Sequence, residues 1–165
     1  MKNIWTIHEV TRACGVTRDE LNQWISRGVF RPSAPTRRGA WRRFDWRDLA
    51  CLSTMAVLRE MGLSVKAAGR IAAGLRDALS GFDDIGEPHG LFIVATDHAE
   101  AGAFARLVHS AELTTEMSTA VSAVMVDVAS VYRDAMAAIS GRPVNDRADA
   151  ACARATGPGT KNAAP

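Results

Sequence analysis

Residues 6–30 read TIHEVTRACGVTRDELNQWISRGVF, and two helix starts stand in them eleven residues apart. Thr6 has Glu9 three residues on, and Thr17 has Glu20 three residues on. Each pair has the form of a capping box, in which hydroxyl and carboxylate satisfy free backbone N–H groups at a helix start. Gly15 suits the tight turn between them, and Gly28 suits the C-terminal cap of the second helix. The spacing predicts a compact helix-turn-helix. Its first helix runs from Ile7 to Cys14, with Ile7, Val10 and Cys14 turned inward. Its second runs from Arg18 to Arg27, with Leu21, Trp24 and Ile25 on the core side. Asp19, Asn22, Gln23, Ser26 and Arg27 fall roughly opposite.

Working outward, Val29 and Phe30 are expected to begin a short strand, which Pro32 keeps from extending smoothly. Thr36-Arg37-Arg38-Gly39-Ala40-Trp41-Arg42-Arg43-Phe44 then reads as a basic hairpin, with Trp41 to Phe44 as the return strand. Strand side chains alternate, so Arg37, Arg38, Arg42 and Arg43 cannot all face one way. Trp41 and Phe44 are read as core packing in preference to base stacking. Asp45 is expected to cap a third helix carrying Leu49, Leu52, Met55, Ala56 and Leu58, ending at Met61-Gly62. Ser64 is expected to cap a fourth, with Val65, Ala68, Ile71, Ala72 and Leu75 as its apolar stripe, stopping near Gly81. A helix able to enter a groove, with a positive wing beside it, implies double-stranded DNA.

The chain has 165 residues, 47% of them hydrophobic, enough for one modest core or two small ones. The net charge of +2 conceals an asymmetry. Residues 1–79 hold 14 Lys and Arg against 7 Asp and Glu, a balance of +7; residues 80–165 hold 6 against 11, a balance of −5. The basic half can hold phosphates, which would repel the acidic half; an ordinary solvated basic surface is the plainer reading. The three cysteines, Cys14, Cys51 and Cys152, are odd in number and widely spaced, which suits a reducing cytoplasm better than a disulfide framework. No apolar run approaches a membrane span. Trp5, His8 and Glu9 near the start do not fit a secretory signal.

Gly81 to Gly90 holds three glycines, a proline and three acids and reads as a linker. The expected organisation is therefore a DNA-binding domain over 1–80, a linker over 81–90, a helical dimerisation or effector region over 91–140, and a disordered tail over 141–165. Leu91-Phe92-Ile93-Val94-Ala95 fits a buried strand or a helix start equally, and Asp97 is expected to cap a helix running to about His109. Leu113, Met117, Val121, Val124, Val128, Val131 and Ala135 follow a near 3.5-residue repeat, the pattern of helices packing along a seam. A continuous helix from Leu113 to Ile139 would offer that stripe to a second copy of the chain, or to a monomeric bundle. The expected fold class is mainly α: a winged helix-turn-helix head with a small β-hairpin wing, then an α-helical dimerisation or effector region with room for one short strand.

The head resembles the N-terminal winged-helix domain of the MerR family of bacterial transcription regulators. The resemblance runs from Trp5-Thr6-Ile7-His8-Glu9-Val10 through Gly15-Val16-Thr17, Leu21, Trp24, Gly28-Val29-Phe30 and Pro32 into Gly39-Ala40-Trp41-Arg42-Arg43-Phe44. It continues through the following helix to Met61-Gly62-Leu63-Ser64, covering about half of the chain. Where the family usually has an arginine and two tyrosine-like positions after its leucine, this chain has Asn22, Gln23 and Trp24.

The resemblance implies a bacterial, cytoplasmic, nucleoid-associated homodimer that reads a palindromic site. Such regulators bend and untwist promoter DNA, which would make RNA polymerase a further partner. An excisionase-like architectural protein, or an adaptor whose winged domain binds protein, are the alternatives. Asn22 and Gln23 carry amides able to pair bidentately with adenine. Arg18, Arg27, Arg37, Arg38, Arg42 and Arg43 are phosphate candidates, with Arg42 matching the family's characteristic wing arginine. Thr17 joins them if its hydroxyl or the helix N-terminus faces the DNA backbone.

Cys14 and Cys51 fall on apolar helix faces, where free cysteine is commonly buried. His98 and His109 are eleven residues apart, about three helical turns along an axis. No metal or other cofactor and no catalytic constellation is expected, so the chain does not read as an enzyme.

Overall fold

A computed structural model describes residues 4–34, 41–83, 91–98, 102–109 and 123–141. The chain opens with β1 (Ile4–Thr6), α1 (Ile7–Cys14) and α2 (Arg18–Ser26). β2 (Arg43–Asp45), α3 (Trp46–Glu60) and α4 (Val65–Leu79) follow. The second half holds β3 (Leu91–His98), β4 (Gly102–His109), β5 (Ala123–Asp127) and α5 (Val128–Ile139). The fold is mainly helical, with a small antiparallel β pair beside the helix-turn-helix, as a winged helix-turn-helix requires.

Both threonine capping boxes form. The hydroxyl of Thr6 accepts from the Glu9 N–H and that of Thr17 from the Glu20 N–H, while each glutamate accepts from its threonine's backbone N–H. Asp45 and Asp48 build a third box at the start of α3, and Ser64 caps α4. Gly15 and Gly28 take φ values of 64° and 69°, the left-handed region open to glycine at little steric cost. At the end of α2, Val29 N–H donates to the Trp24 carbonyl and Gly28 N–H to that of Ile25. This is the paired bonding of a Schellman cap.

That cap corrects the expected first wing strand. The backbone of Gly28 and Val29 is spent in closing α2, and Phe30 turns into the core at 3% exposure. β2 therefore pairs with β1, antiparallel, with Trp5 opposite Phe44. Both rings are buried, a cross-strand aromatic pair that fastens the return strand to the chain's first residues. Arg37, Arg38 and the rest of 35–40 lie outside the described residues.

α3 is the central helix. α1, α4 and α5 all pack against it, and Leu49, Leu52, Met55 and Leu58 are fully buried. Gly69 on α4 closes directly on the end of the helix-turn-helix: a Cβ there would lie 2.4 Å from Val29 Cγ1 and 2.8 Å from the Val29 carbonyl oxygen.

The second half departs most from expectation. Leu91–Ala95 belongs to a strand. Where a helix was expected from Asp97 to His109, Asp97 and His98 end β3 and Gly102–His109 form β4, paired antiparallel with it. The sheet order is β4-β3-β5, all antiparallel, with β4 lying against α4. Three strands thus stand where one short strand was entertained.

Nor is there a continuous helix from Leu113 to Ile139. Val124 lies in β5, and α5 starts only at Val128, after Asp127 caps it by accepting from the Ser130 N–H at 2.9 Å. Val128, Val131 and Ala135 are buried with α1 and α3 in one hydrophobic core, together with Val126 and Tyr132. Leu113, Met117 and Val121 lie outside the described residues, as do 84–90 of the expected linker and 142–165 of the expected tail. Among the described residues, no helix is long and apolar enough to cross a membrane.

Candidate nucleic-acid interface

α2 is held from behind. Leu21 and Trp24 are buried, and the Arg59 guanidinium lies 5.1 Å from the Trp24 ring while its Nη2 stands 3.4 Å from Glu20 Oε1. Packing therefore presents the opposite face outward. Arg18, Asp19, Gln23 and Arg27 are exposed, and Asn22 is half-buried. Thr17 is committed to the helix start: its hydroxyl donates to Glu20 Oε2 at 2.9 Å while accepting from the Glu20 N–H. The Thr17 backbone N–H, and after it the Thr17 hydroxyl, donate to the Glu20 carboxylate and hold it below its usual range, because both favour the charged form.

The return strand reaches this face through Arg42. Its Nη1 donates to Asn22 Oδ1 at 2.6 Å, twenty residues away in sequence. Trp41, expected in the core, is 78% exposed, while Phe44 is fully buried. Within β2, Phe44 turns inward and Arg43 outward by alternation, while the exposed Trp41 and half-buried Arg42 precede the strand, which starts later than the expected Trp41.

A second group of cations went unread because it comes from α4. A cleft of about 660 Å³ runs between α2 and α4, with Trp24 and Val29 on its apolar side. Gln23, Arg27, Arg59, Lys66 and Arg70 also line it, with Glu20 as the one acid. Lys66 and Arg70 are exposed. Four cations against one carboxylate suit an anion, and the recognition face of α2 forms one wall.

What fixes the wing's base is the buried carboxylate of Asp48. It accepts from the Ser33 N–H and hydroxyl at 3.0 and 3.1 Å, from the Asp45 N–H at 3.1 Å, and from Arg76 Nη2 at 2.6 Å. Arg76 also donates to the Ser33 hydroxyl and lies over the Phe30 ring. Burial pushes the Asp48 carboxyl above its ordinary value, against the pull of Arg76. The segment leaving α2 is thereby clamped to α3 and α4.

Cys14 and Cys51 are buried free thiols, pushed up to about 12 by desolvation; a thiol held neutral is a poor nucleophile and metal ligand. His98 pairs with Gly102 and His109 with Leu91, so the two histidines mark opposite ends of the β3–β4 hairpin. Among the described residues, no group of three or more His, Cys, Asp or Glu is placed to hold a metal.

Residues 5–75 match the MerR HTH family regulatory protein description. Over these residues the chain is similar to the helix-turn-helix domain of the MerR family, which is regulatory rather than catalytic. No curated protein matched the chain.

Proposed function

We propose that the chain is a cytoplasmic, dimeric, sequence-specific DNA-binding regulator of transcription. The observation that carries this reading is the joining of Arg42 to Asn22, which sets the wing strand beside the exposed face of α2. Asn22 and Gln23 read base edges in the major groove. Arg18, Arg27, Arg42 and Arg43 hold phosphates, with Arg37 and Arg38 extending that grip from the wing. Thr17 acts through the helix start it caps. The exposed Trp41 ring lies against sugar or base at the groove edge, and Lys66 and Arg70 add backbone contacts beside Arg27.

Two copies would place their α2 helices one DNA turn apart, roughly 34 Å, on a palindromic site. Because Val128, Val131 and Ala135 are buried within the chain and Val124 packs against the same core, pairing falls to the remainder of the second half, including Leu113, Met117 and Val121. Distortion of promoter DNA, with RNA polymerase as a further partner, is part of this reading and rests on the family resemblance alone.

The test is selection from a pool of randomised duplexes with the full-length protein, beside sedimentation of the free protein. A dyad-symmetric motif with half-sites about one helical turn apart, and a sedimenting dimer, are expected. A pool that stays random would overturn DNA reading, and a monomer on an asymmetric site would overturn dimerisation.

A further inference from the structure

The Arg42–Asn22 bond has a consequence for which base the helix reads. Resting on the DNA-binding reading above, we propose that Arg42 and Asn22 form one reading unit that selects guanine, not adenine, at the base pair facing Asn22.

An asparagine amide pairs bidentately with adenine by accepting from N6 and donating to N7. A guanidinium can only donate, so the group facing Arg42 Nη1 at 2.6 Å is the Asn22 oxygen, and the amide nitrogen is turned away from it. The oxygen retains a second lone pair, but an adenine amino group approaching it would meet the guanidinium alongside, donor against donor. The unit therefore presents N–H groups: those of Asn22 Nδ2 and the remaining ones of Arg42. Guanine offers N7 and O6, both acceptors, on its major-groove edge, whereas adenine replaces one with a donor.

Both side chains are half-buried, so this bond is shielded from solvent and strengthened by its charge. Of the acids on α2, Asp19, one turn before Asn22, is exposed, and Glu20 is engaged by Thr17 and Arg59. Arg42 is on this account a positioning and specificity-determining residue as well as a phosphate contact.

Three measurements on the full-length protein test this. In the free protein, a guanidinium proton of Arg42 is expected to be protected from exchange in wild type and unprotected in Asn22→Ala. Equal protection in both would overturn the proposal without touching the DNA-binding reading. Site selection with wild type is expected to return guanine at one position of each half-site, and Arg42→Ala to shift that position towards adenine while leaving its neighbours unchanged. Adenine in the wild-type site, or an unchanged preference in the variant, overturns the proposal.

If Arg42→Ala binds too weakly for selection, the wild-type protein decides on modified sites. Replacing that guanine by 7-deazaguanine or by 2-aminopurine is expected to weaken binding roughly 5-fold or more, and no loss with either overturns it. A wild-type protein that enriches no sequence at all would overturn the DNA-binding reading itself.

Discussion

Single side chains decide how firmly the reading helix is held. Gly69 is the sharpest case: alanine there would press its methyl against the Val29 carbonyl, backbone that the Schellman cap has already fixed. Gly69→Ala is expected to destabilise the fold by about 1–3 kcal/mol through overpacking, despite alanine's better helix propensity. A lower melting temperature checks it, and an unchanged or raised one would show that α4 can slide away. Glu20 and Asp48 act in opposite directions with pH. The bonds from Thr17 lower the Glu20 carboxyl, so its contribution is present above the ordinary carboxylate range and lost as pH falls through the lowered value. Glu20→Gln should flatten that acid limb of a melting-temperature profile. Asp48 is raised by burial; the folded state favours its protonated form, and its ionisation costs stability as pH rises through the raised value. A Glu20→Gln profile as steep as wild type would contradict this assignment.

At the scale of elements, the head was legible and the second half was not, and the difference is physical. Helix starts in the head are written in contacts three residues apart, so Thr6–Glu9, Thr17–Glu20, Asp45 and Ser64 each announced a helix that formed. From Val121 to Ala135, valines satisfy two periods at once. Val124, Val126 and Val128 alternate as a strand, while Val124, Val128 and Val131 step as a helix. The structure uses the first period up to Asp127 and the second after it, with Met125 outward and Val126 inward. Local pattern could not choose, because the choice rests on β5 pairing with β3 some thirty residues earlier. In the candidate site, the exposed face of α2 was readable from its helical spacing. The Arg42–Asn22 bond and the cations of α4 depend on tertiary packing and left no local trace. The clamp on the wing's base is equally non-local. Asp48→Ala strands Arg76 and frees the Ser33 N–H, and loss of about 3 kcal/mol is expected on chemical denaturation. A change below about 0.5 kcal/mol would show that the clamp is not holding the segment.

For the molecule as a whole, the expected division near residues 81–90 separates basic from acidic sequence, but the core crosses it. α5 closes over α1 and α3 from the far end of the chain, and Arg12 Nη2 donates to the Ile139 carbonyl at 3.4 Å. A head cut after Asp83 would expose the faces that Val128, Val131, Tyr132 and Ala135 now cover. It is expected to melt several degrees below the full chain, which should itself unfold in a single transition. A truncated head as stable as the whole would mean that α5 contributes nothing to the DNA-binding unit. This coupling gives the second half a physical route to the reading helix, since α1 touches both α5 and α2. The central claim is that the exposed face of α2 and its neighbouring arginines hold DNA. A salt titration of binding to the selected duplex tests it most directly, wild type beside Arg27→Ala. Affinity is expected to fall steeply and linearly on logarithmic axes, with the variant's slope shallower by about one unit. Binding indifferent to salt, or identical slopes for the two proteins, would contradict it.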